Sequence, residues 1–203
     1  HVIREGNWMN DTHDGDVRDV PRASAMGRRL FLTGLGAAAL TAGFGLPSGE
    51  ALAAQPVARS LSFNNLHTGE RLKTVFQEHG QFDPAALGEI NHLLRDHRTG
   101  DVEDIDPRLL VLLSDLRHKL GSKSPFQVIS GYRSPKTNAM LASNSNGVAK
   151  KSYHMRGMAI DCYLPDVDLR KLHKAALQQR GGGVGLYARS GFVHLDVGRV
   201  RSW

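Results

Sequence analysis

A single cysteine, Cys162, stands among the 203 residues. One thiol cannot close an internal disulfide, so the fold must hold without covalent staples in any compartment. Cys162 follows Asp161 at the end of the apolar run Met158-Ala159-Ile160. That setting lacks the positive charge that lowers a thiol pKa, so it reads as a small buried hydrophobe and not a nucleophile. Long hydrophobic runs are also missing. The best candidate, Leu30 to Leu46, has 17 residues, four of them glycine, and is too short and too weakly apolar for a good transmembrane span. There are no repeats and no low-complexity tracts. What is present is ordinary for a soluble globular chain: 40% hydrophobic and 23% charged residues. The net charge of +6 favours polyanionic surroundings without saying anything about fold. Ten histidines raise the chance of a metal site and prove none.

The chain divides into three parts. Residues 1–25 are polar and aperiodic, and read as a disordered leader or as sequence upstream of a true start at Met26. Residues 26–53 read as an export signal: Arg28-Arg29, then the apolar segment, then an Ala51-Leu-Ala53 cleavage site. The paired arginines followed by Leu-Phe-Leu point to the twin-arginine route and so to a periplasmic protein. Residues 54–203 form the mature domain, with 21 Lys+Arg against 14 Asp+Glu, a net +7. The basic excess therefore belongs to the domain and not to the signal, and 150 residues suffice for one core.

Within that domain Ser60 to Leu66 alternates polar and apolar residues as a half-buried strand does, and Leu72 to Gln77 is a second strand across a His67-Thr-Gly-Glu70 turn. Asp83-Pro84 and Asp106-Pro107 each supply an N-cap and a proline at the first helical position. The first opens a helix to about Arg98, the second a leucine-rich helix ending at Gly121. Phe126 to Ser130 is a short buried strand. Ser134 caps a short helix to about Leu141, and Ala142 to Lys151 is a polar loop. Met158 to Leu164 is a strand, Asp168 to Gln179 an amphipathic helix, and Val184 to Tyr187 with Phe192 to Val197 a hairpin. Early helices and late strands predict an α+β domain with a mostly antiparallel sheet and flanking helices.

Two stretches carry chemistry. Ser152 to Asp161 places His154 and Asp161 seven apart around Gly157; Phe192 to Asp196 places His194 and Asp196 two apart, on one strand face. If the strands holding them are neighbours, His154, Asp161 and His194 converge as two imidazoles and a carboxylate, a donor set that suits Zn²⁺ with a fourth position for water. Spacing alone leaves the bland reading ahead: a strand histidine is more often structural than a ligand, and His-x-Asp is common by chance.

The stretches Leu66-His-Thr-Gly-Glu70, Ile129-Ser-Gly-Tyr-Arg-Ser134, Gly147 to His154, Gly157, Asp161, Gly182-Gly-Val-Gly185 and Phe192-Val-His194 with Asp196 shift that balance. Over nearly all of residues 60–203 the chain resembles the murein endopeptidase K group of periplasmic zinc peptidases, within the D-alanyl-D-alanine carboxypeptidase and hedgehog-like superfamily. The resemblance implies the fold of those peptidases, one zinc per chain held by His154, Asp161 and His194, and Arg133 as the arginine ahead of the metal motif, placed to bind a substrate carboxylate or a developing oxyanion. The superfamily's acidic general base, often upstream of the last histidine, has no match in Ser190 to Val193. Asp196 is the nearby carboxylate, read either as that base or as the partner that orients His194. Tyr132, Ser134, Ser152 and Tyr153 are held more loosely as lining groups, and Lys150 and Lys151 as contacts for an anionic polymer or as a solvated loop. His67 and His173 are left structural. The implied activity is zinc-dependent hydrolysis of peptide cross-links in peptidoglycan. The alternatives are a D,D- or L,D-carboxypeptidase on the same fold and a non-catalytic peptidoglycan-binding domain with structural zinc. The expected partner is peptidoglycan, with no nucleic acid, no membrane span after signal cleavage, and a monomer as the default.

Overall fold

The computed structural model describes residues 58–144, 149 and 151–203. The readings made for residues 1–53 and for Lys150 lie outside the described residues. Among those described, no helix is long and apolar enough to cross a membrane.

The alternating N-terminal segment is strand β1 (Arg59–Asn65), which turns Leu61, Phe63 and Asn65 inward. It pairs antiparallel with β2 (Arg71–Glu78). Asn65 closes the hairpin turn, its side-chain oxygen accepting from the N–H groups of His67 at 3.0 Å and Thr68 at 3.3 Å. β3 (Gln81–Phe82) extends that edge. Helix α1 (Pro84–Leu93) starts where Asp83 accepts from the Ala85 N–H, and α2 (Pro107–Leu120) where Asp106 accepts from the Arg108 N–H. α1 stops at Leu93, short of the expected Arg98. Asp96 takes over the following backbone: its carboxylate accepts from Arg98 N–H and its carbonyl from Gly100 N–H. A side chain that offers the backbone a turn competes with helix continuation.

After the two helices comes β4 (Phe126–Ser130), parallel to β1. Helix α3 (Pro135–Asn144) runs past the expected Leu141. A single 3-10 turn (Tyr153–Arg156) leads into β5 (Ala159–Tyr163). Helix α4 (Leu169–Gln179) is capped by Asp168. β6 (Gly183–Tyr187) and β7 (Phe192–Asp196) form the expected hairpin, and β8 (Arg201–Ser202) closes the sheet. The eight strands run in the order β3-β2-β1-β4-β5-β7-β6-β8. Most pairings are antiparallel; β1–β4 and β6–β8 are parallel. The first of these follows from the α1–α2 excursion, which returns the chain in the same direction.

Leu109, Leu110, Leu113 and Leu116 of α2 are fully buried in a core with Leu61, Phe63, Phe126 and Leu172. Each such side chain contributes roughly 1.5–3 kcal/mol of transfer free energy. The β5–β7 register decides where the chemistry goes. Ile160 faces Leu195 and Cys162 faces Val193 on the core side; Asp161 faces His194 and Ala159 faces Asp196 on the other. A slip of one residue would exchange the two sets, so the apolar pairs lock the polar ones onto the opposite face.

Candidate metal centre

His154 sits in the 3-10 turn. Ser152 caps that turn, its hydroxyl accepting from the His154 N–H at 3.3 Å. Gly157 ends it at φ 61°, and a Cβ there would collide with the Asp104 carbonyl oxygen, so both conformation and space demand glycine. The ring of His154 is 3% exposed. Its Nδ1 donates to the Gly131 carbonyl oxygen at 2.7 Å, which leaves the Nε2 lone pair directed into the site.

His194 is oriented from the other end. Its Nε2 lies 3.0 Å from Asp196 Oδ2, and its Nδ1 lies 2.8 Å from Asp161 Oδ1. His154 Nε2 is 3.2 Å from His194 Nδ1 and 3.3 Å from Asp161 Oδ1. Three acceptor atoms thus form a triangle with sides of 2.8, 3.2 and 3.3 Å. For ligand bonds of about 2.0–2.1 Å, a tetrahedral ion has ligand–ligand edges of roughly 3.3 Å. The triangle fits one face of such a tetrahedron, and these three buried residues are a group that could hold a metal ion.

The electrostatics agree. Burial drives the His154 imidazole toward neutrality against the pull of Asp161. Asp161 is held far below the usual carboxylate range by the two imidazoles, although burial opposes this. Burial also opposes a charge on His194, but the carboxylates of Asp161 and Asp196 outweigh it and raise its pKa. Without a cation, a proton on His194 Nδ1 is what relieves the convergence of acceptors; a metal ion would displace it.

Arg133 lies beside this group. Its guanidinium is 3.7 Å from Asp161 Oδ2, the carboxylate oxygen turned away from the imidazoles, and its backbone N–H donates to the His154 carbonyl at 3.1 Å. Its side chain is 13% exposed, so burial lowers its pKa while Asp161 opposes the shift. Asp196 has a different setting. It is fully buried. Oδ1 accepts from the N–H groups of Gly183 and Gly198 and from Arg201, and Oδ2 accepts from Arg201 and His194. These bonds hold its pKa well below the carboxylate range in spite of burial. The carboxylate stands behind the His194 ring, on the far side from the three converging atoms.

The residues held more loosely have structural places. Tyr132 joins the core. Ser134 is 1% exposed and accepts from the Thr137 N–H in the first turn of α3. The Tyr153 ring lies against Gly198 and beneath the Arg201 guanidinium. His67 stacks on His97 with ring centroids 3.8 Å apart, and burial, then the neighbouring His67, pushes the His97 pKa down to about 4. Lys151 is exposed in a turn and His173 lies on α4. The Cys162 thiol is buried and its pKa pushed far up by burial and Asp161, an inert setting.

Sequence reasoning missed three contributors. Asp96 is 2% exposed, accepts the Ser134 N–H at 2.9 Å and so fixes the Gly131–Ser134 turn that supplies both Arg133 and the Gly131 carbonyl. The other two are Trp203, whose ring centroid lies 5.2 Å from that of His194, and Tyr187, whose hydroxyl accepts from the Trp203 indole. For Tyr187 a signal existed: hairpin pairing puts alternate β6 residues on the His194 face.

Comparison with known proteins places this geometry in context. The family model described as "Peptidoglycan L,D-endopeptidase MepK" matches residues 53–203. The chain is 44% identical over 175 residues to the peptidoglycan L,D-endopeptidase MepK of Escherichia coli K12, an alignment covering 86% of this chain and 96% of that protein. It is also 44% identical over 154 residues to the probable peptidoglycan L,D-endopeptidase MepK of Haemophilus influenzae, covering 75% of this chain and 83% of that protein.

Proposed function

The chain belongs to the peptidoglycan L,D-endopeptidase MepK family of peptidases, and on that premise we propose that it is an exported zinc peptidase that hydrolyses peptide cross-links of peptidoglycan. The observation that carries the metal assignment is the convergence of His154 Nε2, His194 Nδ1 and Asp161 Oδ1, three atoms that all present lone pairs when each neutral ring gives its N–H to Gly131 or Asp196.

His154, Asp161 and His194 would hold one Zn²⁺ per chain. Bound there, zinc supplies Lewis-acid polarisation of the scissile carbonyl and a water of lowered pKa. Arg133 donates from a planar fork to a substrate oxygen, either a carboxylate of the stem peptide or the carbonyl oxygen as it becomes negative. Asp161 Oδ2 holds that fork in place. Asp196 keeps His194 in the tautomer whose Nδ1 lone pair faces the site. With its lone pairs occupied by Arg201, two backbone N–H groups and His194, it is better suited to positioning than to collecting a proton. The net +7 of residues 54–203 complements an anionic wall polymer.

Digestion of purified sacculi, with products identified, tests the reading. Cross-linked dimers should give way to monomeric stems, and His154→Ala should abolish both this and the one zinc per chain. Loss of a terminal residue alone would make the protein a carboxypeptidase. Binding without cleavage would make it a wall-binding module.

A further inference from the structure

The β6–β7 register pairs Gly185 with His194 and Tyr187 with Phe192. Tyr187 therefore projects from the same sheet face as His194, two pairs further along. Its ring is fixed by stacking on Phe192, with centroids 4.6 Å apart and planes 15° apart. The indole Nε1–H of Trp203 donates to the Tyr187 hydroxyl oxygen at 3.0 Å. A phenol has one hydrogen to give and lone pairs to receive. With the oxygen's acceptor side used by the indole, and no acceptor for its hydrogen among the described residues, the O–H is left to donate outward on the face that carries the metal ligands.

Trp203 is held with more care than packing requires. It is 41% exposed, so burial contributes comparatively little to fixing it. Yet its N–H donates to the Val184 carbonyl at 3.3 Å, its carbonyl accepts from Leu186 N–H at 3.1 Å, and the Arg201 guanidinium lies 4.9 Å from its ring. Gly185 makes the space: a Cβ there would lie 2.6 Å from the indole. The indole centroid is 5.2 Å from that of His194. Arg201 also grips Asp196, which orients His194, so one guanidinium ties the indole to the candidate metal centre.

We propose, resting on the peptidase reading above, that Tyr187 is a further catalytic residue whose phenol O–H donates to the substrate carbonyl oxygen as negative charge develops there, and that Trp203 is the positioning residue that aims it. Burial raises the phenol's pKa, so it remains a neutral donor at physiological pH. Arg133 and Tyr187 then approach the developing charge as two separate donors, a preorganised pair that needs no rearrangement during the reaction.

The test uses the zinc-loaded protein and a purified cross-linked muropeptide dimer, with Tyr187→Phe, Trp203→Phe and the double variant. Phenylalanine keeps the stacking partner in each case, and zinc content and melting temperature report that the fold and the metal survive. Tyr187→Phe should lower kcat by about tenfold or more, the worth of one well-placed hydrogen bond, with KM near wild type. Trp203→Phe should lower kcat by less, and should add nothing in the Tyr187→Phe background, since it acts through the phenol. A Tyr187→Phe enzyme with kcat within about twofold of wild type overturns the proposal. So does a rise in KM alone, which would reduce the phenol to a ground-state contact. Equal losses from Trp203→Phe in both backgrounds overturn the positioning half. A zinc-loaded wild type that leaves the dimer intact sinks the peptidase reading itself, an outcome distinct from an active wild type with an equally active Tyr187→Phe.

Discussion

His194 is gripped between two carboxylates, with Asp161 Oδ1 2.8 Å from Nδ1 and Asp196 Oδ2 3.0 Å from Nε2. The two are not equivalent. Asp161 shares the converging site with His154, whereas Asp196 is fully buried behind the ring and already accepts from Arg201, Gly183 and Gly198.

That asymmetry predicts the behaviour of Asp196→Asn. A positioning role gives a zinc affinity weakened about 10–100-fold and an activity that returns when zinc is supplied in excess. Competition with a chromophoric chelator measures the first and turnover against added zinc the second. Full zinc occupancy with no recovered activity would restore Asp196 as the general base.

Arg133→Lys keeps the charge and discards the fork. The lysine cannot bind a carboxylate or oxyanion through two parallel N–H groups, so kcat/KM should fall about 100-fold while zinc content stays at one per chain. Steady-state kinetics alongside metal analysis decides it; an unchanged kcat/KM would leave the guanidinium as a mere salt-bridge partner of Asp161.

Asp96 predicts a pH-dependent stability. Burial opposes its ionisation, but hydroxyls of Thr137 and Ser134 and the N–H groups of Ser134 and Arg98 outweigh it, so its folded pKa lies far below the ordinary 3.8. A depressed carboxylate pKa stabilises the fold fully above the unfolded value and loses that contribution as pH falls below it. Asp96→Ala should cost about 1–3 kcal/mol at pH 7, from the donors left unpaired. Denaturant titrations at neutral pH and near pH 3 should show the gap between wild type and variant narrowing in acid.

Gly157→Ala tests the turn beneath His154. A left-handed φ of 61° with the Asp104 carbonyl in the way should cost roughly 1–3 kcal/mol in backbone strain alone. Moving the turn displaces His154 from Asp161 and His194, so on the zinc reading a lower melting temperature should come with weaker zinc binding. An unshifted melt would mean that the turn relaxes freely.

Much of the candidate site was legible from local chemistry. Asp83-Pro84, Asp106-Pro107 and Asp168 cap helices where they stand because capping is settled within a few residues. The strand pair 158–164 and 192–197 was readable from apolar runs, and it delivered the Asp161–His194 pairing. The end of α1 was not, because Asp96 is recruited by Ser134, 38 residues away. β3 and β8 have two residues each, too few for any period to show. The parallel β1–β4 pairing depends on how two helices return the chain, which no local pattern encodes.

By itself the sequence determined which atoms are on offer: two histidines and an aspartate at spacings that a turn and two strands can bring together, a single inert thiol, and an arginine ahead of them. Only the tertiary structure decided which nitrogen of each imidazole faces inward, because the Gly131 carbonyl and the Asp196 carboxylate that take the other N–H groups arrive from different elements. It also decided which carboxylate stands in the site and which stands behind it. Asp161 and Asp196 are the same residue type on neighbouring strands, and their difference lies wholly in the hydrogen-bond partners that the fold places around each.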